Sequence, residues 1–359
     1  MKRRIGIMTG GGDAPGLNAV IRAFVKRGVG QLGWEVIGIE DSLNGLLDTP
    51  HRLQCLTMRS CQGLLHRGGT ILGTTNRGNP FEYPMPDGSV ANRADEIAQA
   101  FRDEGLEGLV GIGGDGTQKI SLRLMEDCGI PVVGVPKTID NDLSATDFTF
   151  GFQSAVDCAT DALDRLHTTA ESHERVMFLE VMGRDAGHIA LHAGIAGGAD
   201  IILLPEIPYD PQRLADKVKR RQKIGRLFTI VMVAEGAVPL ALAELSAEER
   251  KQRLSEAGGA AHVAMESMRP ISDAEMRVCV LGHLQRGGGP VPFDRLLATR
   301  FGVGAVDLVE QDRWGEMVRL KNGVIDGVPI KDAIAVYRLV DTEGQLVSAA
   351  RAVGIELGA

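Results

Sequence analysis

The chain repeats one local pattern: a short apolar run rich in Val and Ile, bounded by Gly, Pro or Asp, precedes an amphipathic stretch with helical spacing. The runs predict strands at Ile5–Met8, Val36–Ile39, Gly108–Ile112, Val132–Val135, Val176–Val181, Ile201–Leu204, Leu227–Val233 and Val278–Leu281. The amphipathic stretches predict helices at Asn18–Gly28, Ala94–Glu104, Thr117–Glu126, Gln153–Ala170 and Asp210–Lys223. Apolar strands that alternate with helices are typical of parallel sheets covered on both faces. The pattern therefore predicts an α/β fold with ligand sites at the carboxyl ends of the strands.

The length of 359 residues is enough for two packed domains, or for one large α/β domain with a satellite. A break is predicted near residue 150, because Phe148–Gly151 ends one unit and a long helix follows. Residues 237–275 are rich in Ala, Glu, Lys and Arg, which predicts a solvated helical excursion rather than a site.

The composition excludes several classes of function. A net charge of −8 without a basic block argues against nucleic acid or an anionic membrane as the main partner. No apolar run approaches the roughly 20 residues that a membrane-spanning helix needs. The five cysteines are scattered and include no close ligand-type pair, which indicates reduced thiols of a cytoplasmic protein.

Two glycine-rich loops follow predicted strands. The first, Thr9–Asn18, leads into a helix, and backbone amides in this arrangement favour phosphate. On its own this loop is equally compatible with tight packing. The second, Gly111–Thr117, carries Asp115, a carboxylate suited to a magnesium ion that bridges phosphate oxygens. The alternative for this loop is that Asp115 or Thr117 caps the helix.

A third loop, Pro136–Asp142, is the most informative of the three. It places two carboxylates, an amide, a hydroxyl and an ammonium directly after an apolar strand. A base that removes the proton of a substrate hydroxyl needs a carboxylate beside the transferred phosphoryl group, and a second carboxylate can orient or balance it. Three strand-end loops, each suited to phosphate or magnesium, are together a much more specific signal than any one of them.

These loops resemble the motifs of the 6-phosphofructokinase family. Gly-Gly-Asp-Ala-Pro-Gly, Gly-Gly-Asp-Gly and Thr-Ile-Asp-Asn-Asp occur in that order, and the later segments Val181–Arg184, Ala234–Gly236 and Leu281–Gly288 agree. The likeness extends from about residue 4 to about residue 310. It implies two Rossmann-like three-layer α/β/α domains with mainly parallel sheets and an active site in the cleft between them. Residues 1–150 plus about 284–335 would bind nucleotide phosphate and magnesium, and residues 151–283 plus the C-terminal tail would bind the sugar phosphate.

The resemblance also implies a reaction, the glycolytic phosphorylation of fructose 6-phosphate at its 1-hydroxyl by Mg-ATP. The implied catalytic residues are Asp140 as general base with Asp142, Thr138 and Arg184. The implied nucleotide-binding residues are Gly12, Arg77, Gly114, Asp115, Gly116 and Thr117, of which Asp115 would hold Mg²⁺. The implied sugar-phosphate ligands are Thr138, Asp140, Met182, Gly183, Arg184, Glu235, His283 and Arg286, with Arg175 and Arg277 contributed by a neighbouring subunit. The last pair implies a homo-oligomer, either a dimer or a tetramer.

Gly116 and Lys137 bear on the phosphoryl donor. Within the resemblance, Gly after the magnesium aspartate leaves room for the α-phosphate of ATP, whereas Lys before the threonine is typical of pyrophosphate-dependent enzymes. We give Gly116 the greater weight, because an Asp at this position would exclude the α-phosphate by its bulk and its charge and so prevent ATP from binding. The prediction is ATP, and pyrophosphate is the alternative. A lipid or NAD kinase is another alternative, because Gly-Gly-Asp-Gly-Thr also occurs in those enzymes, but the Pro136–Asp142 cluster and the Arg-rich sugar-phosphate motifs argue against it. The presence of Asp115 and Asp140 argues against a non-catalytic regulatory subunit.

Overall fold

The computed structural model describes residues 2–359. The helices are α1 (Leu17–Gly28), α2 (Asn44–Leu47), α3 (Ala94–Asp103), α4 (Asp115–Cys128), α5 (Phe152–His173), α6 (His188–Ala196), α7 (Pro211–Lys223), α8 (Ala247–Glu256), α9 (Ala260–Met268), α10 (Pro292–Glu310), α11 (Ile330–Ala333) and α12 (Gln345–Ala352). The strands are β1 (Arg4–Thr9), β2 (Glu35–Ile39), β3 (Leu53–Leu56), β4 (Tyr83–Pro84), β5 (Val90–Ala91), β6 (Gly108–Gly113), β7 (Val132–Thr138), β8 (Phe150–Gly151), β9 (Val176–Val181), β10 (Ile201–Leu203), β11 (Thr229–Ala234), β12 (Met276–Val280), β13 (Glu316–Lys321) and β14 (Val324–Pro329).

The chain forms two compact units, and neither is continuous in sequence. The first contains the residues up to Gln153 together with Arg286–Tyr337. The second contains Ser154–Gln285 together with Arg338–Ala359.

The first unit is built on a sheet with the strand order β14-β13-β7-β6-β1-β2-β3, and β8 adds to β7. The strands from β13 to β2 run parallel to one another, while β14 and β3 pair antiparallel at the two edges. Alternate residues of the central strands face opposite layers of helix. Ile7 packs with Phe24 of α1 and Phe301 of α10, and Met8 packs with Phe101 of α3 on the other face. This unit is therefore a three-layer α/β/α structure.

The second unit is built on a fully parallel sheet with the strand order β10-β11-β9-β12. On one face Phe178 of β9 packs with Val218 of α7 and Ala264 of α9. On the other face α6 lies against β10 and β11, so close that a β-carbon on Gly194 would meet the Ile202 side chain at 2.6 Å. The predicted α/β class with mainly parallel sheets is confirmed in both units.

Each strand predicted from an apolar run is present, and β9 has the predicted bounds. The prediction for residues 237–275 is only half right. Helix α8 is largely exposed, but α9 buries Ala260, Ala261, Ala264, Met265 and Met268 in the core of the second unit. Among residues 2–359, no helix combines the length and apolarity needed to cross a membrane.

Candidate active site

The glycine-rich loop after β1 is held by backbone contacts within the first unit. Gly10 N–H donates to the carbonyl of Ile112 at the end of β6 (2.9 Å). Gly11 N–H donates to the Thr75 carbonyl (3.1 Å), and the Thr74 hydroxyl donates to the Gly11 carbonyl (2.6 Å). These bonds attach the Thr74–Arg77 segment to the loop. The Arg77 side chain is exposed. Phosphate-binding candidates from two separate parts of the sequence are thus joined.

The second loop leads from β6 directly into α4. Gly114 is the N-cap residue and has no side-chain cap, so neither Asp115 nor Thr117 serves as the N-cap that was the alternative role. Asp115 lies in the first turn, where its carboxylate pairs with Lys119 at 2.8 Å. Thr117 is buried, and a β-carbon on Gly10 would lie 2.7 Å from its hydroxyl oxygen. Thr117 therefore fills the space between the first two loops.

Gly116 differs from its neighbours because it is exposed on the first turn of α4. A β-carbon added there would find no heavy atom within 4 Å among the described residues, apart from its own helix and chain neighbours. Its backbone also has ordinary helical geometry, so the fold itself does not require glycine at this position.

The third loop begins at the end of β7 with buried polar side chains. Thr138, Asp140, Asn141 and Asp142 are exposed by only 7%, 4%, 4% and 3%. The Thr138 hydroxyl accepts a hydrogen bond from the Asp140 amide (3.0 Å). Asn141 has a left-handed backbone with φ 55°, and its side-chain oxygen accepts from the Thr149 amide (3.1 Å). The loop is thus held by its own side chains and presents two carboxylates in a nearly dry setting.

Lys137 is the penultimate residue of β7 and connects the third loop to the first. Its Nζ donates a hydrogen bond to the Gly12 carbonyl, and the side chain is 3% exposed. Burial lowers the pKa of the Lys137 ammonium to about 8, and the nearby Arg286 charge acts in the same direction. Neighbouring carboxylates, of which Asp140 has the largest effect, oppose this shift.

Arg286 belongs to the first unit and lies beside the first loop. Its guanidinium donates to the Asp13 carbonyl (2.9 Å), and a β-carbon on Gly12 would approach it to 2.9 Å. A side chain at position 12 would therefore require the end of the Arg286 side chain to shift. The first unit brings together Gly12, Lys137 and Arg286, which are far apart in sequence.

In the second unit, the loop after β9 carries Met182, Gly183 and Arg184. Gly183 has φ 147° and Arg184 has φ 54°, a left-handed conformation that is uncommon for a residue with a side chain. One oxygen of Glu235 accepts from both amides, at 3.1 Å from Gly183 N and 2.7 Å from Arg184 N. Glu235 thereby holds the loop while the Arg184 side chain remains exposed. His283 is also exposed, just beyond the carboxyl end of β12, and is not the buried histidine that its type alone would favour.

Arg175 and Arg277 lie at the opposite ends of the same strands. Arg175 precedes β9, and Arg277 is near the start of β12. Glu275 joins them, with its Oε1 at 2.8 Å from Arg175 Nε and 2.6 Å from a terminal nitrogen of Arg277. Within this unit, a strand rise of about 3.3 Å per residue separates the two arginines from the Gly183–Arg184 loop by about 20 Å. Glu275 was not predicted from the sequence. The sequence shows only that it is an acidic residue two positions before Arg277.

Asp115 is the residue that could hold a magnesium ion, in place of its pairing with Lys119. Among residues 2–359, no group of three or more His, Cys, Asp or Glu side chains is arranged as a metal cage. Mg²⁺ is usually held by one or two carboxylates, with phosphate oxygens and water as the remaining ligands. A single carboxylate on the first turn of α4 matches that mode of binding.

The sequence of the chain matches one known protein family. Residues 4–309 match the sequence model of the family described as Phosphofructokinase. The chain belongs to the phosphofructokinase family.

Several phosphofructokinase relatives are similar over nearly the full length. The chain is 51% identical over 356 residues to the ATP-dependent 6-phosphofructokinase 1 of Synechocystis sp., covering 99% of this chain and 98% of the relative. It is 52% identical over 357 residues to the ATP-dependent 6-phosphofructokinase of Chloroflexus aurantiacus, with the same coverage. It is also 46% identical over 343 residues to the pyrophosphate–fructose 6-phosphate 1-phosphotransferase of Amycolatopsis methanolica, covering 95% and 97%.

A solved phosphofructokinase has the same fold. The structure from Saccharomyces cerevisiae superposes with a TM-score of 0.78 at 29% identity and covers 99% of this chain. The present chain spans 47% of the length of that yeast chain.

Proposed function

We propose that the protein is an ATP-dependent 6-phosphofructokinase, which transfers the terminal phosphoryl group of ATP to the 1-hydroxyl of fructose 6-phosphate. The observation that carries this proposal is the buried Thr138–Asp142 loop, whose carboxylates lie within the unit that also holds both glycine-rich loops. The names of the similar Synechocystis and Chloroflexus proteins support ATP as the donor.

In this mechanism Asp140 is the general base. Its carboxylate accepts the proton of the 1-hydroxyl as the oxygen–phosphorus bond forms and the bond to the departing ADP breaks. The Thr138 hydroxyl, which already accepts from the Asp140 amide, fixes the position of that residue. Asp142 lies two residues further along and supplies the second carboxylate that orients or balances the base.

The nucleotide phosphates would be bound by the loops at the N-termini of α1 and α4. Helix α4 begins without a side-chain cap and exposes Gly116 on its first turn, which leaves its first amides available to phosphate oxygens. Arg77 would add a positive charge from the attached segment, and Asp115 would hold Mg²⁺, which neutralises developing phosphate charge when bound.

The sugar phosphate would be bound by Met182–Arg184, Glu235, His283 and Arg286. Arg175 and Arg277 would serve a second copy of the chain, in a dimer or tetramer. The separation of about 20 Å between these arginines and the Gly183–Arg184 loop supports this division, because one small ligand cannot contact both sets within a protomer.

Pyrophosphate is the second candidate donor, and Lys137 is the observation that favours it. The Amycolatopsis relative is named for pyrophosphate, so the family likeness alone does not exclude it. Two features support ATP. The open space above Gly116 leaves room for an α-phosphate, and the Lys137 ammonium is already bonded to the Gly12 carbonyl.

One experiment tests the proposed function. Purified protein is incubated with fructose 6-phosphate, Mg²⁺ and either ATP or pyrophosphate, and fructose 1,6-bisphosphate is measured in parallel. We expect product with ATP and little with pyrophosphate. Product with pyrophosphate alone would replace the donor in this proposal, and no product with either donor would reject it.

For location we propose the cytoplasm. The cysteines occur as free thiols at Cys55, Cys61, Cys128, Cys158 and Cys279. A reducing compartment maintains thiols in this form.

A further inference from the structure

The loop between β9 and α6 is held by hydrogen bonds to carboxylates from outside the loop. Its first half has the unusual backbone angles of Gly183 and Arg184, and such conformations persist only where the surroundings hold them. Glu235 holds this half by accepting both amides. A second carboxylate, Glu206, contacts the other half.

Glu206 follows β10 and is half-buried. Its two oxygens lie 2.9 Å and 3.2 Å from the amide nitrogen of Gly187, the residue that opens α6. A β-carbon on Gly187 would approach Glu206 Oε2 to 2.9 Å, so glycine permits this close contact. Glu235 and Glu206 therefore hold the two ends of one short loop, and Arg184 belongs to the end that Glu235 holds.

Glu206 also binds a distant part of the second unit. Its Oε1 accepts from the Val340 amide at 2.8 Å, and Val340 belongs to the C-terminal segment Arg338–Ala359. Beside it, His188 Nε2 lies 3.2 Å from the Arg338 carbonyl oxygen. Because a carbonyl only accepts, His188 must donate from Nε2. Burial lowers the pKa of His188 to about 4, so this donor is a neutral imidazole at neutral pH.

We propose that Glu206 is a positioning residue for the sugar-phosphate loop. It acts through the Gly187 backbone on the placement of Arg184, and it ties that loop to the C-terminal segment at Val340. This inference rests on the proposed function, in which Arg184 contacts fructose 6-phosphate. Loss of the Glu206 carboxylate would release the second half of the loop and leave the amides of two buried residues, Gly187 and Val340, without their acceptor.

The experiment compares four variants of the full-length protein. Glu206→Ala removes the acceptor, and Glu206→Asp withdraws it by one methylene group. Glu206→Gln keeps an oxygen that can still accept from both amides. The matched control is Asp200→Ala. Asp200 precedes β10 at the other end of the same sheet, and its half-buried carboxylate accepts from the Ile230 amide at 2.9 Å.

The measurements are the KM values for both substrates and the rise in Tm that fructose 6-phosphate produces. We expect Glu206→Ala to raise the KM for fructose 6-phosphate about tenfold and to reduce the Tm rise, because small displacements of a binding group carry large costs. The KM for ATP should change by less than about twofold. Glu206→Gln should recover most of the loss, and Glu206→Asp should be intermediate. If Glu206→Ala does not fold, Glu206→Asp decides the question in the same way.

Asp200→Ala should lower Tm without a selective change in the KM for fructose 6-phosphate. If the wild type is active and the Glu206 variants raise this KM no more than Asp200→Ala does, the inference is overturned. It is also overturned if Glu206→Gln is as impaired as Glu206→Ala, since the hydrogen-bond acceptor would then not matter. A wild-type protein that neither phosphorylates fructose 6-phosphate nor is stabilised by it would instead reject the proposed function, and the inference with it.

Discussion

The side chain of Lys137 donates a hydrogen bond to the backbone carbonyl of Gly12, and so links the end of β7 to the glycine-rich loop after β1. A buried ammonium in this place has two consequences. It fixes the spacing of two loops that the proposed reaction uses, and it makes the stability of the first unit sensitive to pH.

The pH dependence can be predicted with its sign. The pKa of Lys137 falls from its ordinary value of 10.5 to about 8 in the folded protein, mainly through burial. Between these pH values the unfolded chain binds more protons than the folded one, so the contribution of Lys137 to stability rises with pH in this window. In Lys137→Met the difference in Tm, variant minus wild type, should therefore fall as pH is raised from about 7.5 to about 10. Lys251→Met, which changes an exposed lysine of α8, should give no such trend. A flat difference for Lys137→Met would show that Lys137 does not titrate in this range.

Asp140→Asn tests the general base. The substitution keeps the shape of the side chain but removes the proton acceptor, and a general base typically contributes about 10²–10⁴-fold to the rate. We expect kcat to fall by that factor while the KM values change little. Asp127→Asn on the exposed side of α4 should leave kcat unchanged. An Asp140→Asn variant with near wild-type kcat would assign the base to another residue.

Gly116→Asp tests the choice of donor. The open space at Gly116 means that the fold should tolerate the new side chain, so a change in activity can be attributed to the ligand. A carboxylate about 4 Å from an α-phosphate costs on the order of 4 kcal/mol at an effective dielectric near 20, which corresponds to about a thousandfold loss of kcat/KM for ATP. Pyrophosphate lacks the α-phosphate and should escape most of this penalty.

The control for the donor experiment is Gly116→Ala, which adds bulk without charge and should keep most ATP activity. The ratio of kcat/KM for the two donors is measured in all three proteins. Equal losses for Gly116→Ala and Gly116→Asp would attribute the effect to size rather than charge. A wild type that prefers pyrophosphate would show that Lys137 outweighs Gly116.

A subunit-mixing experiment tests whether sugar-phosphate sites are shared. Arg277→Ala chains lack the arginine proposed to reach a second copy, and Asp140→Asn chains lack the base. Mixed oligomers can contain sites with an intact base and an intact arginine, so activity should exceed that of either parent after the subunits exchange. Exchange is followed with a tagged chain. Complete exchange without recovered activity would contradict a shared site.

The sheets could be predicted because their central strands are apolar along their whole length. Val176–Val181 is the clearest case, since both faces of β9 are buried and its bounds coincide with the apolar run. The last two strands of the first sheet were not predicted, for the opposite reason. Strand β13 begins with Glu316 and ends with Lys321, and β14 is interrupted by Asp326 and Gly327, so neither forms a continuous apolar run.

Helix α9 shows a different limit of sequence reasoning. Its buried positions are largely Ala, a residue that gives a weak apolar signal but allows close packing against the sheet. The charged residues of α8 directly precede it and dominate the local composition. The average composition of residues 237–275 is therefore that of a solvated helix, although the region also contains a core helix.

For the candidate site, the sequence predicted which loops lie at strand ends but not the contacts that hold them. Arg286 and Asp13 are 273 positions apart, and no local pattern indicates that the guanidinium of one donates to the carbonyl of the other. The left-handed backbone of Arg184 was equally hidden, because it depends on Glu235, a residue of another strand end. The roles of the individual site residues stay predictions that the experiments above test.

The interleaving of the two units in the sequence has a consequence for biosynthesis. Helix α10 packs on α1, and β13 pairs with β7, but both α10 and β13 are encoded after the whole sheet of the second unit. On the ribosome, α1 is therefore made about 275 codons before α10, and β7 about 184 codons before β13, while the four-stranded sheet of the second unit can form earlier. Until α10 is made, the apolar face of α1 is not covered by that helix. Apolar surface that is exposed during synthesis favours aggregation and chaperone binding. A fragment truncated before Arg286 should share this exposure.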